Sequence, residues 1–323
     1  MDEYFSSIFF FESDMIVKTE KIMQEISKEI LEKYQIRKTK KQKDAFIDFL
    51  KTEFNKEIKI EEGGFLNSRN LIVGDLEKSD YVLAAHYDTA PVLPIPNFLT
   101  PKSYFFYFLY MLFIIVLFTS VEIVLQVILF FFTENEWIHL IVYFGIYLFF
   151  LGWIFVGKAN KHTANDNTSG VITLIEAMHN ESIKEKACFV FFDHEEVGLF
   201  GSAYFNKIHK KELENKLLFN FDCVSDGDTI MMILSKTALK EQEKIQNAFV
   251  GNDKKSFLVT QSKNTIYPSD QKNFKHHVGV AAFKKSKICG YYMNRIHTNK
   301  DVIFDEMNID VIIKGLENYI SGE

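Results

Sequence analysis

At 323 residues, with 47% hydrophobic and 25% charged side chains, the chain has the make-up of one large globular domain or two ordinary ones, which excludes a disordered protein. Its formal net charge of -6, with a basic stretch at Arg37–Lys43 that is short and set in a helical pattern, excludes nucleic acid as a partner. Three cysteines, Cys188, Cys223 and Cys289, without CxxC spacing exclude a disulfide framework or a thiolate zinc site and fit a reducing compartment.

The opening "MDEYFSSIFFFESDM" is acidic, and its apolar run is too short for a signal peptide. From Ile16 to Glu53, Ile22, Ile26, Ile30, Leu31 and Tyr34, then Phe46, Ile47 and Leu50, recur at spacings of three and four, which predicts an amphipathic helix pair. "NLIVGDL" (70–76) and "YVLAA" (81–85) read as two strands joined by a polar turn around Lys78-Ser79-Asp80, the second ending at His86.

Between Tyr104 and Phe132 only Glu122 and Gln126 are strongly polar, and a second apolar run spans Trp137–Val156. As helices these would be about 43 Å and about 30 Å long, enough to cross a bilayer, the longer one by tilting. Lys102 before the pair and Lys158 and Lys161 after it, against the acidic link "TENE", predict that both ends face the cytoplasm. Glu122 is costly in lipid and predicts contact with a neighbouring helix, a subunit or the interface. Beyond the pair, "VITLIEAMH" (171–179) reads as a helix, and "ACFVFF" (187–192), "KLLFNF" (216–221) and "VAAF" (280–283) as strands. The alternation predicts an α/β domain with a largely parallel sheet.

Five polar motifs follow these strands or open these helices: "HYD" (86–88), "NDN" (165–167), "DHEE" (193–196), "DC" (222–223) and "HT" (297–298). Sites in open α/β sheets gather beyond the carboxyl ends of strands, so the five can converge. His86 can give a neutral imidazole to a metal while Asp88, two residues on, takes its other ring N–H. Asp166 can bridge two cations, or an Asx residue there can simply cap the following helix. Glu195 and Glu196, on an extended backbone, would diverge, one binding metal and the other acting as a base toward water. Asp222, after an apolar strand, needs a cationic partner if buried. His297 completes two histidines and three carboxylates, or is a loop residue.

With "NLIVGDLEKSDYVLAAHYDT", "ANDNTSGV", "VFFDHEEVGLFGS", "NFDCV", "SDQKNF" and "IHTNKD" in this order, the chain resembles the co-catalytic dizinc aminopeptidases, the clan of aminopeptidase Y and bacterial leucyl aminopeptidase. The resemblance covers about residues 70–88 and 160–320. It implies a hydrolase-like three-layer sandwich, with a mixed, largely parallel sheet between helices and a transmembrane hairpin inserted. It implies two zinc ions per chain, one on His86 and Asp222, the other on Glu196 and His297, bridged by Asp166. Glu195 would be the general base and Asp88 the acid that orients His86. The implied reaction removes one residue from a peptide with a free N-terminus.

The expected division is residues 1–55 as N-terminal helices of the catalytic domain, 56–101 and 158–323 as its body, and 102–157 as the hairpin, giving an integral protein of the cell membrane. The chain departs from the pattern at Ser269-Asp270-Gln271, where the family often has Ser-Asp-His, which leaves Tyr267, Tyr291 and Tyr292 as candidate oxyanion donors. It departs again in the eighty positions between His86 and Asp166, where soluble members need a short loop. Two other functions fit parts of the pattern: a glutaminyl-peptide cyclotransferase with one zinc, and an inactive membrane protein that binds peptides on the same fold.

Overall fold

The computed structural model describes residues 24–54 and 58–322. The expected signal-free N-terminus and Ile22 of the first helix lie outside these. The rest of the helix pair is present as α1 (residues 24–33) and α2 (Lys40–Glu53). A capping box starts α2, with the Thr39 hydroxyl accepting from Gln42 N–H and the Gln42 side chain accepting from Thr39 N–H.

Among the described residues nine strands follow: β1 (Ile58–Gly63), β2 (Ser68–Val73), β3 (Tyr81–His86), β4 (Ala187–Phe192), β5 (Leu217–Phe221), β6 (Thr229–Leu234), β7 (Ser256–Gln261), β8 (His277–Ser286) and β9 (Gly290–Tyr292). They form one mixed sheet in the order β1-β2-β4-β3-β5-β8-β6-β7, with β9 beside β8. The centre, β4-β3-β5-β8, is parallel, and β2 and β6 run against it. The polar turn therefore does not make β2 and β3 neighbours: β4 lies between them. Strand β2 ends at Val73 rather than Leu76, because Gly74 turns the chain at φ 94°.

Helices α5 (Gly170–His179), α6 (Glu181–Lys184), α7 (Phe200–Ile208), α8 (Gln242–Ala248) and α9 (Glu306–Ser321) complete the domain. Alternation along the strands divides the core. Leu83 and Ala85 of β3 pack with Ile47, Leu174 and Ile312, drawn from α2, α5 and α9. Val82 and Ala84 pack on the other face with Phe205 of α7. Both faces being covered, β4 reads as an unbroken apolar run, β3 as one up to His86, and β5 as one interrupted only by the buried Asn220.

Helices α3 (Tyr104–Phe130) and α4 (Glu136–Val156) form an antiparallel pair with Phe118 edge-on to Phe150 at 4.4 Å between ring centres. Both are long and apolar enough to cross a membrane. Of the α3 side chains only Glu122 is buried, and of α4 none, so they are not core helices of the domain. Glu122 is bonded within its own helix: Gln126 Nε2 donates to it at 2.8 Å, and the same amide reaches the neighbouring helix at the His139 carbonyl, 3.2 Å away. Where the pair joins the domain its two ends are stapled. Val92 N–H donates to Lys158 O, Asn160 N–H donates to Ala90 O, and Pro91 bridges Ala159.

Candidate metal centre

The topology carries His86 and Asp222 to the carboxyl ends of adjacent parallel strands, β3 and β5. Asp166 arrives from the turn that opens α5. There the role of cap falls to Asn167, whose Oδ1 accepts from Gly170 N–H at 3.0 Å. The same side chain accepts from Cys223 N–H and donates to the carbonyls of His86 and Phe221, so one amide ties together the ends of β3 and β5. Asp166 is left free of capping. Its Oδ1 lies 3.4 Å from His86 Nε2, which is also 3.4 Å from Asp222 Oδ1. Its Oδ2 lies 2.9 Å from His297 Nε2, which is 3.2 Å from Glu196 Oε2.

Glu195 and Glu196 sit in a turn and not on an extended backbone, with His194 at φ 56° and Leu199 at φ 60°. The turn is fixed from beneath by Asp88, whose carboxylate accepts Glu195 N–H at 3.0 Å and Glu196 N–H at 3.3 Å. Asp88 thus orients the acidic pair more directly than it orients His86. The His86 Nδ1 is 3.1 Å from the Asp88 carbonyl and 3.6 Å from its carboxylate.

Charge accumulates in this buried cluster with few compensating cations. Burial disfavours ionised His86, but the Glu195 charge and the Asp166, Asp222 and Asp88 carboxylates outweigh it and hold the imidazole well above its ordinary range. His297 is raised in the same way, against burial, by Glu196 and Asp166. Burial also works against Asp88, yet His86, Lys43 and the Glu195 N–H bring its carboxyl to about 2. Burial, with the charges of Glu196, Asp270 and Asp222, pushes Glu195 well up against the pull of His86.

Three residues that sequence reading does not mark as site residues support the cluster. Arg37 is fully buried; its guanidinium donates to the carbonyls of Tyr87 and Tyr34 and, at 3.2 Å, to Thr168 Oγ1. Lys43 pairs with Asp193, which also accepts Arg69 and His194 N–H groups just ahead of the acidic pair. Asp301 accepts the N–H groups of Asn165 at 2.9 Å and Asp166 at 3.0 Å. Arg37 and Lys43 read in sequence as the ends of a short basic stretch in a helical pattern, and only partners far along the chain reveal them.

The candidate oxyanion donors fare unevenly. Tyr267 gives its hydroxyl to the Asp222 carbonyl at 2.8 Å, and Gln271 is buried between Asn220 and the Tyr267 carbonyl, so both brace the floor of the site. Tyr291 and Tyr292 stand on β9.

The donor set fits a metal. His86, Asp166 and Asp222 form one group with ligand atoms within 4.8 Å of one another, and Asp166, Glu196 and His297 form another. Asp222 Oδ1 and Glu196 Oε1 are buried without a hydrogen-bond donor, as carboxylates awaiting a cation would be.

Such a cluster at the strand ends of an α/β sheet defines a metallohydrolase-type site. Residues 152–314 match Peptidase family M28, and the chain belongs to that family of zinc hydrolases. Its fold is that of solved structures at low identity. The aminopeptidase LapA of Legionella pneumophila is 12% identical over 93% of this chain and 68% of that one, with a TM-score of 0.52. LapB of the same organism is 14% identical over 94% and 71%, with a TM-score of 0.52. A glutaminyl cyclase of an Acidobacteriales bacterium is 14% identical over 93% and 94%, with a TM-score of 0.55. No curated protein sequence matches the chain.

Proposed function

We propose that the protein is a membrane-anchored aminopeptidase with two zinc ions, one on His86 and Asp222, one on Glu196 and His297, and Asp166 between them. The observation that carries this reading is the divided carboxylate of Asp166, with one oxygen toward His86 and the other toward His297. Bound zinc would polarise the substrate carbonyl and acidify water. Glu195 would then take the proton of the attacking water and deliver it to the departing amine. Asp88 fixes the Glu195 backbone while this happens.

The catalytic body is assigned to residues 56–101 and 158–323, with α1 and α2 packed on it, and the hairpin to 102–157. Helices α3 and α4 would cross the bilayer, with Lys102, Lys158 and Lys161 keeping the catalytic domain on the cytoplasmic side. The substrate would be a peptide with a free N-terminus reaching the site beside the membrane.

Likeness of fold to a glutaminyl cyclase supports a second reading, cyclisation of N-terminal glutamine with one zinc. Zinc per chain, measured on protein kept in phospholipid nanodiscs with hydrolysis of aminoacyl anilides by wild type and Glu195→Gln, separates the two. Near two zinc, with turnover lost in the variant and metal kept, supports the aminopeptidase. Near one, with no release of N-terminal residues, overturns it.

A further inference from the structure

Between the hairpin and the strap that leads to it (residues 90–98) lies a cavity of about 190 Å³, bounded by Leu93, Ile95, Met111, Ile114, Phe118 and Trp153, among others that are all apolar or aromatic. Only two lining side chains carry an N–H or O–H, and both are spent: Tyr110 donates to the Pro96 carbonyl at 2.6 Å and Trp153 to the Val92 carbonyl at 3.1 Å. Water in such a space finds too few partners to be held. Tyr110 and Ile114 lie about 9 and 15 Å along α3 from its start, the depth of the bilayer half nearer the domain. Around the cavity the helices turn Phe113, Ile115, Phe149 and Leu151 outward, so it adjoins the surface that lipid tails would cover.

We infer that this cavity takes up a segment of one acyl chain of a membrane phospholipid, and that its occupation steadies His297. The inference rests on the reading of α3 and α4 as membrane-spanning. Hydrocarbon is the chemistry that an apolar, donor-free lining accepts, and at this depth lipid tails supply it. The coupling runs through the strap. Its Val92 and Pro96 carbonyls are held by the two aromatic lining residues, while Leu93, whose side chain forms part of the wall, donates its N–H to the His297 carbonyl at 2.9 Å. His297 sits at φ 59°, a conformation that a side-chain-bearing residue keeps only when its surroundings enforce it. With the cavity emptied, Leu93 can relax into it and release that hold.

The test uses the full-length protein, with phospholipid per chain read by native mass spectrometry, zinc per chain by elemental analysis, and kcat/KM on an aminoacyl anilide. Wild type is expected to retain one phospholipid. Stripping it with detergent should weaken zinc retention and lower kcat/KM about tenfold. Dioleoyl phosphatidylglycerol should restore both, and glycerol phosphate neither. Ile114→Phe and Met111→Phe, which fill the cavity, should retain no lipid and respond to neither treatment.

Equal lipid retention by wild type and both filled variants, or zinc retention in wild type indifferent to lipid, overturns the inference. Displacement of the lipid by a short apolar peptide without loss of zinc also overturns it, and assigns the cavity to substrate. If alkaline carbonate extracts the chain from membranes, the membrane reading itself fails and the inference with it. Lipid and zinc counts remain readable even where no aminopeptidase turnover is found.

Discussion

Lys43 of α2 and Asp193 at the end of β4 form a buried ion pair directly behind the turn that carries Glu195 and Glu196. Removing one partner leaves the other charge uncompensated in the core, which costs about 3–5 kcal/mol. Lys43→Met should therefore lower the melting temperature sharply and weaken metal retention. The double variant Lys43→Met/Asp193→Asn should recover part of the stability, since the loss is shared by the pair. A single variant that melts like wild type would show that the pair does not hold the turn.

Gly170 allows α5 to press against the end of β5. A Cβ there would lie 2.3 Å from the Phe221 carbonyl oxygen and 2.4 Å from Asn167 Oδ1. Gly170→Ala should cost about 1–3 kcal/mol as overpacking and should displace Asp222, the next residue along. Thermal melting and zinc content should fall together; a stable, fully loaded variant would contradict this packing.

Glu176, on α5, faces Asp310 and Glu306, and burial with these charges pushes its carboxyl from an ordinary 4.5 up to about 8. The unfolded chain releases this proton near 4.5 and the folded chain near 8, so between them the folded state holds more protons and stability falls as pH rises. Glu176→Gln should raise the melting temperature by a few degrees at pH 9 and hardly at all at pH 4. Equal shifts at both values would point away from this group.

Chelation should destabilise the protein as well as silence it. A ligand at a hundredfold excess over its dissociation constant stabilises the folded state by about 2.7 kcal/mol, and this is lost when it is removed. Calorimetry before and after chelation, and again after zinc is returned, should show a reversible fall in melting temperature with parallel loss of hydrolysis. A melting curve unmoved by chelation would argue against the donor cluster as a metal site.

The strands that end in His86 and Asp222 are legible because they are short apolar runs closed by polar residues, and the hairpin because its length exceeds ordinary core helices. Strands β1, β6 and β7 are not. "IKIEEG" is half exposed at the sheet edge, and "TIMMIL" is a run that periodicity cannot tell from a buried helix. The insertion of β4 between β2 and β3 is a long-range pairing that no local pattern encodes. The same holds for the site's foundations. Arg37 and Lys43 look solvated until their partners, 50 and 150 residues away, are brought beneath them. The acidic pair misleads for a different reason: an extended backbone accounts for two diverging carboxylates as well as the turn that is present.

The hairpin also separates the proposed zinc ligands in time. His86 leaves the ribosome before it, and Asp166, Glu196, Asp222 and His297 all leave after it. During synthesis the chain must therefore deliver its apolar helices before the last four can meet the first. On the proposed ligand set, hydrolytic competence comes only after the whole hairpin has been synthesised, so a nascent chain that ends within it would carry no finished centre with which to attack bystander peptides.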